Sequence, residues 1–477
     1  MVRSEERTDR ATDSTPSLID STEIPKPKGT ALFRRFEWIL SPVTYLERTK
    51  AETPDFFVED SLGFGMGETI VTSHPEAMQF ILSRDRITAT DSAQSTFKAP
   101  GEFNRILSPF LGEQSVIMIS DQAHKQRRHL IAPAFHGDRL HVYGQLVCQL
   151  TSELVATMNP GDRFVARTLT QQISLQTIAK VVFGSEESPR EAALLPLLTQ
   201  SVDSVGSPVS VLPLFFDILR KDLGPWSPWG RFLRRRAKLD ELVYAEIEDR
   251  RNASEQDRTD ILSMLMAART ETGEALSDVE LRDELMALLL AGHETTATAM
   301  AWAMYWLHAE PRVKEKLLAE LDAIAPDAPP TEIASLPYLT AVVKETLRRS
   351  PVTMFTFPRI AQTDIELMGH RFPAGTAFLG CMFLTHQREE LYPDYQAFRP
   401  ERFLERKFSP YEFIPFGSGA RRCVGEALAQ YEMKLAIATL LKHHRFKLAS
   451  DQPEKPRRRG VTLSPSNGVP MIYLGER

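Results

Sequence analysis

The chain has 477 residues, 42% hydrophobic and 25% charged, with a formal net charge of -6. That balance supports a large buried core and excludes a disordered or fibrous chain. A mildly acidic protein without a basic stripe offers no footprint for nucleic acid.

In chain order, residues 1–25 are polar and charged where a signal peptide needs an apolar core of about seven to fifteen residues. They read as a flexible tail on a cytoplasmic protein. No Gly/Ser or Pro-rich linker divides the chain after residue 40, so 26–477 reads as one domain. Phe56 to Ser73 alternates apolar residues with glycines, as a twisted hairpin does. His74 to Arg84 has the period of a short amphipathic helix, and the irregular stretch from Arg84 to Ile117 suits a lid or binding loop. Helical periodicity then runs over about 120–350, broken by turns such as MNPGD and TGEALSD, and returns over about 424–444. Strand-like text fills 56–73 and 352–385, so the predicted class is mainly α with a minor β portion.

The longest predicted helix spans Val279 to Glu310, about 48 Å at ~1.5 Å per residue. Ser277 and Glu280 have the spacing of a capping box before it, and Pro311 ends it. It is not a membrane span: its unbroken apolar part is only Leu285 to Gly292, and His293 and Glu294 stand at its centre. There AGHETT, Ala291 to Thr296, puts Gly, Glu and two Thr where propensity favours Ala or Leu. A threonine hydroxyl can take the carbonyl one turn back and open the helix locally. The acid and alcohol form either a polar patch satisfied by neighbouring helices or a proton relay.

In KETLRR, Glu345 and Arg348 are three apart on one helix face, and FRPERF supplies Arg402 from a Pro-rich loop. If buried, the three form a structural triad. The cysteines Cys148, Cys381 and Cys423 are odd in number and widely spaced, which fits reduced thiols. Cys423 follows the glycines of PFGSGARR and precedes a helical run. A sulfur at a helix N-terminus is expected to have a lowered pKa, suited to attack or to binding a metal. No His lies in the segment to act as base, nor a second Cys or His at zinc spacing. A single thiolate in a Gly loop suits haem iron.

With these motifs the sequence resembles the cytochrome P-450 family of haem-thiolate monooxygenases. Phe416, Gly417, Gly419, Arg421, Cys423 and Gly425 resemble its cysteine loop, AGHETT its distal helix, and Glu345, Arg348 and Arg402 its buried triad. Agreement is dense from about Asp260 onward and weakest from Gly184 to Arg251. The resemblance implies haem b between the distal helix and the Cys423 helix, with Cys423 as axial ligand. It implies that Thr295 and Glu294 deliver protons and that Ala291 and Gly292 leave room over the haem face. It assigns the haem propionates to His124, Arg128, Arg359 and Arg421, and packs Phe416 beside the sulfur. His124 stands where many members have Trp.

Family substrate walls map onto apolar residues here, among them Phe97, Phe103, Leu107, Phe215, Met354 and Phe355. An apolar pocket suits a hydrophobic small molecule such as a fatty acid or terpenoid. The stretch PLFFDILRKDLGPWSPWGRF reads either as a substrate lid or as a membrane-surface contact, without a transmembrane anchor. No electron-transfer domain is fused within the chain, so the resemblance implies dioxygen as co-substrate and a ferredoxin or flavodoxin with an NAD(P)H reductase as donor. Rival expectations are a peroxide-using or isomerase-type haem-thiolate enzyme and a non-catalytic haem binder.

Overall fold

The computed structural model describes residues 19–20, 23–60, 67–85, 95–184, 189–204, 206, 212–252, 258, 260–270 and 273–477. The expected tail lies largely outside these residues. Order nevertheless begins before residue 25: Ile19–Asp20 pair in parallel with His370–Arg371, and Ile24 is buried.

Strands β1 (Phe56–Glu59), β2 (Thr69–Thr72), β3 (Phe97–Lys98), β4 (Arg359–Ala361) and β5 (Ala377–Gly380) form one sheet in the order β1-β2-β5-β4-β3. The β1–β2 pair is the hairpin that its alternation predicts, with Phe57 opposite Val71. Only β2 and β5 run parallel, joining segments far apart in the chain.

The helical part is built from α1 (Ala31–Leu40), α2 (Asp121–Ile131), α3 (Asp138–Ala156), α4 (Ala166–Phe183), α5 (Pro228–Asn252), α6 (Asp278–Ala309), α7 (Pro337–Arg349) and α8 (Glu426–His443). Helix α6 starts at the predicted capping box: the Ser277 hydroxyl accepts from the Glu280 N–H at 3.3 Å, and the Glu280 carboxylate accepts from the Ser277 N–H at 3.0 Å. Leu285, Leu289, Met300, Ala303 and Leu307 are buried along it, as in a helix surrounded by protein. The largest core cluster gathers Val147 of α3, Ile173 of α4, Trp302 of α6, Leu339 of α7 and Ile437 of α8. Trp302 is fixed there by its indole N–H, which donates to the Leu463 carbonyl at 3.0 Å.

The sequence reading places no strand after residue 385, and here the structure corrects it. His444–Leu448 pairs antiparallel with Pro470–Glu476, and Pro456–Arg459 forms a hairpin with Thr462–Pro465. Proline and consecutive arginines hide the alternation in the hairpin, and Pro470–Glu476 is held by long-range pairing, including Met471 opposite Phe164.

Candidate functional site

The cysteine loop is built by two glycines and a buried carboxylate. Gly417 and Gly419 adopt φ of +66° and +73°, which side chains disfavour. A Cβ on Gly419 would also stand 2.4 Å from an Asp85 carboxylate oxygen. Asp85 accepts from the Ala420 N–H at 3.1 Å and from Arg359 Nε at 2.5 Å, and Arg359 Nη2 donates to the Ser418 carbonyl at 3.2 Å. At the other end His386 Nε2 accepts from the Ile414 N–H at 3.0 Å. Burial, aided by Arg348, lowers the His386 pKa to about 3 and keeps it a neutral acceptor. The loop closes with the Cys423 N–H donating to the Phe416 carbonyl at 2.9 Å.

The side chain of Cys423 is open to solvent while lying deep in the protein mass, so it faces internal space. The flanking glycines border that space: a Cβ on Gly417 or Gly425 meets nothing within 4 Å. The expected pKa shift is reversed. Burial pushes the thiol up, outweighing the Gly425 N–H and the nearby Arg128 and Arg422. The helix end alone therefore does not make a thiolate; a bound metal ion does so by direct coordination.

On α6, Ala291 is exposed within a mostly buried helix, and Gly292 and Thr295 are half-buried. A Cβ on Gly292 would lie 3.0 Å from Ile178, so the glycine lets α4 approach. The Gly292 carbonyl accepts from Ser174 Oγ at 3.2 Å, and Thr295 Oγ1 donates to the Ala291 carbonyl at 2.6 Å. Glu294 takes different partners: Arg167 Nη2 donates to both its oxygens at 2.8 and 2.7 Å, with Arg459 Nε 3.3 Å away. Arg167 and Arg459 also line a polar cleft with Gln171, Thr199 and Asp203. No hydrogen bond joins Glu294 to Thr295 among the described residues.

The four predicted propionate ligands gather as one basic cluster. Arg421 donates to the carbonyls of Ala99 at 2.8 Å, Val116 at 2.9 Å and Ile119 at 2.6 Å, and Arg128 to that of Arg422 at 2.5 Å. Burial, with Arg359 next, lowers the Arg421 pKa to about 10. Burial and then Arg421, Arg128 and Arg359 lower His124 to about 3, so it stands neutral beside three guanidinium groups. Asp85 compensates Arg359, while Arg421 and Arg128 bond mainly to carbonyls. Such a cluster fits an anionic ligand group.

Of the six candidate substrate residues, four belong to one apolar cluster: Phe215 and Met354 are buried in it, and Leu107 and Phe355 pack against it. Phe97 does not. Its ring is fully buried in a separate cluster, against Phe80 and Phe378, because β3 pairs with β4 and turns it into the sheet core. Phe103 is half-buried in the turn Glu102–Leu107. Phe416 is half-buried against the main core. In the triad, Glu345 accepts from Arg348 at 2.8 and 2.7 Å and from Arg402 at 3.1 Å, and it takes the Arg399 N–H at 2.9 Å.

Asp85, Arg167, His386 and Arg459 were not singled out in the sequence. The only available hint was indirect: a carboxylate in the middle of an apolar helix requires a cation from elsewhere.

A lone thiol facing internal space, the exposed Ala291 and half-buried Thr295 of α6, and a basic cluster together fit a haem-thiolate site. Residues 60–471 match the cytochrome P450 family. Cytochrome P450 135B1 of Mycobacterium tuberculosis is 33% identical over 406 residues, 85% of this chain and 82% of that protein. Cytochrome P450 135A1 of the same species is 30% identical over 474 residues, 98% of this chain and 97% of the relative. The solved structure of retinoic-acid-bound cyanobacterial CYP120A1 shares the fold, with a TM-score of 0.80 over 97% of this chain and 100% of that one at 22% identity. The chain belongs to the cytochrome P450 family and is a haem-dependent monooxygenase. None of its described helices is long and apolar enough to cross a membrane.

Proposed function

We propose that this cytoplasmic enzyme inserts one oxygen atom from dioxygen into a hydrophobic substrate, a fatty acid or terpenoid-like molecule, by hydroxylation or epoxidation. Electrons come from a separate ferredoxin or flavodoxin with its NAD(P)H reductase. The observation that carries the substrate class is the apolar cluster joining Leu107, Phe215, Met354 and Phe355. It offers area for an apolar guest with few fixed polar groups to direct it.

Haem, held through Cys423, supplies the iron at which dioxygen is activated. The chain's residues do the rest. Arg128, Arg421 and His124 bind the propionates, while Arg359 serves first to anchor the loop through Asp85. Gly417, Gly425 and Phe416 border the proximal face, and Ala291 gives clearance on the distal one, while Gly292 makes room for α4. The Thr295 hydroxyl, with its proton on the Ala291 carbonyl, keeps its oxygen free to accept from a ligand. Glu294, bound to Arg167 beside the polar cleft, exchanges protons with water entering there.

The test is two-part. Hydrophobic ligands are screened for a spectral shift of the haem, and the best one is incubated with NADPH and a ferredoxin system. Oxygenated product in proportion to NADPH is the expected result. Product formed only from supplied peroxide, rearrangement without oxygen uptake, or no turnover would each replace this reading with one of its rivals.

A further inference from the structure

The polar cleft beside Glu294 is built from three segments that the chain order keeps apart. On α4, Arg167 and Gln171 stand one turn apart on one face, and Arg167 Nη1 donates to Gln171 Oε1 at 3.3 Å. The helix Pro189–Asp203 supplies Thr199 and Asp203 at the same spacing, and Arg459 enters from its hairpin to pair with Asp203. Gly206 makes room for that guanidinium, since a Cβ there would stand 2.5 Å from Arg459 Nη1. The cleft measures about 610 Å³, the size of a small-molecule site.

The polar groups left over in it are of one kind. Arg167 Nε and Gln171 Nε2 are buried without a hydrogen-bond partner among the described residues, and Arg459 Nε has only its 3.3 Å approach to Glu294. All three are donors. Arg167 and Gln171 are 8% and 6% exposed, and an unmet donor so deeply buried costs about 1–3 kcal/mol. The carboxylates at hand are already engaged, both Glu294 oxygens by Arg167 and Asp203 by Arg459. Burial and then Arg167 lower the pKa of Arg459, as befits two guanidinium groups held close together. A ligand that answers this set must bring acceptors and negative charge, and guanidinium groups suit the paired oxygens of a carboxylate or phosphate.

We propose that this cleft binds a small oxyanion, the carboxylate or phosphate group of a metabolite, at a site separate from both the haem cradle and the apolar cluster. Arg167, Gln171 and Arg459 are its donors, and Thr199 stands at its edge. Because Glu294 meets water in the same cleft, an occupied site slows proton supply and restrains turnover. That consequence rests on the proton-exchange role proposed for Glu294; the binding itself does not.

Full-length, haem-loaded protein is titrated calorimetrically with inorganic phosphate and, separately, with succinate, in buffer free of both and at constant ionic strength. Saturable binding of at least one is the expected result, and the tighter of the two identifies the oxyanion as phosphate or carboxylate. Thr199→Glu places a carboxylate in the cleft without touching Arg167 and should weaken binding about tenfold or more. Gln171→Leu removes one donor and should weaken it about fivefold. Both variants should keep the wild-type carbon monoxide spectrum, and Thr199→Glu carries the test alone if Gln171→Leu fails to fold. Absence of saturable binding by either probe overturns the proposal, and so does binding that Thr199→Glu leaves unchanged, since the anion would then sit elsewhere. At saturation, product per NADPH in the wild type should fall about twofold or more. If the oxyanion binds as expected and that ratio does not move, the proton-exchange role of Glu294 fails and the binding site stands.

Discussion

Glu294 and Thr295 are adjacent in sequence yet answer to different surroundings. The threonine hydroxyl belongs to the notch in α6, and the glutamate is held by Arg167 beside a polar cleft. Their contributions are therefore separable. Thr295→Ala removes one hydroxyl from a half-buried position and should leave the carbon monoxide spectrum intact while product per NADPH falls several-fold and peroxide rises. An unchanged ratio would make AGHETT a packing motif. Arg167→Ala strips a buried carboxylate of its bidentate partner and should destabilise the fold by about 3–5 kcal/mol, read as a lower urea midpoint. Cysteine chemistry divides as sharply: Cys423→Ser should lose the thiolate-type carbon monoxide spectrum, whereas Cys148→Ser and Cys381→Ser should keep it. Cys381 is fully buried, and burial lifts its pKa to about 12, so it stays a neutral thiol.

At the scale of elements, the Glu345–Arg348 pair shows what spacing can and cannot tell. Three residues apart on α7, the two were bound to be neighbours. Spacing alone did not reveal that Arg348 also donates to the His386 carbonyl at 3.0 Å and the Ala397 carbonyl at 3.1 Å, tying α7 to the stretch before the cysteine loop. Arg348→Ala should give unstable or haem-free protein, and Arg348→Lys should rescue little, since an ammonium group cannot span carboxylate and carbonyls together. Haem content after purification is the measurement; a fully loaded alanine variant would reduce the triad to an incidental contact. Helix α6 was legible end to end because its signals are local: a capping box, a continuous period, a terminal proline. The hairpin Pro456–Arg459/Thr462–Pro465 was not. Its strands owe their place to partners such as Trp302 and to the cation–π packing of Arg458 on Trp38, 4.2 Å from the ring centroid.

The whole molecule assembles the site from segments that sequence order keeps apart. Asp85 meets Arg359 across 274 residues, and Arg167 meets Glu294 across 127. Motifs exposed the residues proposed to hold the cofactor, because those demand unusual types at fixed spacing; the residues that anchor them were silent, because a buried Asp or Arg is ordinary until its partner is known. One buried group reports on the assembled core directly. Glu432 of α8 is 2% exposed, and burial raises its pKa from 4.5 to about 8 against a weak opposing contact with Ser174. The folded protein then binds a proton that the unfolded chain releases between about pH 4.5 and 8, so unfolding free energy falls as pH rises through that window. Below it the neutral acid is favoured in both states and the contribution is complete; above it the fold carries a buried carboxylate with only the Ser174 contact to offset it. At about 1.4 kcal/mol per pKa unit the swing amounts to a few kcal/mol. Glu432→Gln keeps the shape and cannot ionise, so its urea midpoint should gain on wild type steadily from pH 5 to pH 8. Glu284, raised to about 7 by burial, titrates in both proteins and cancels in the difference. Parallel midpoints across that range would show that Glu432 is ionised in the fold and compensated by more than its contact with Ser174.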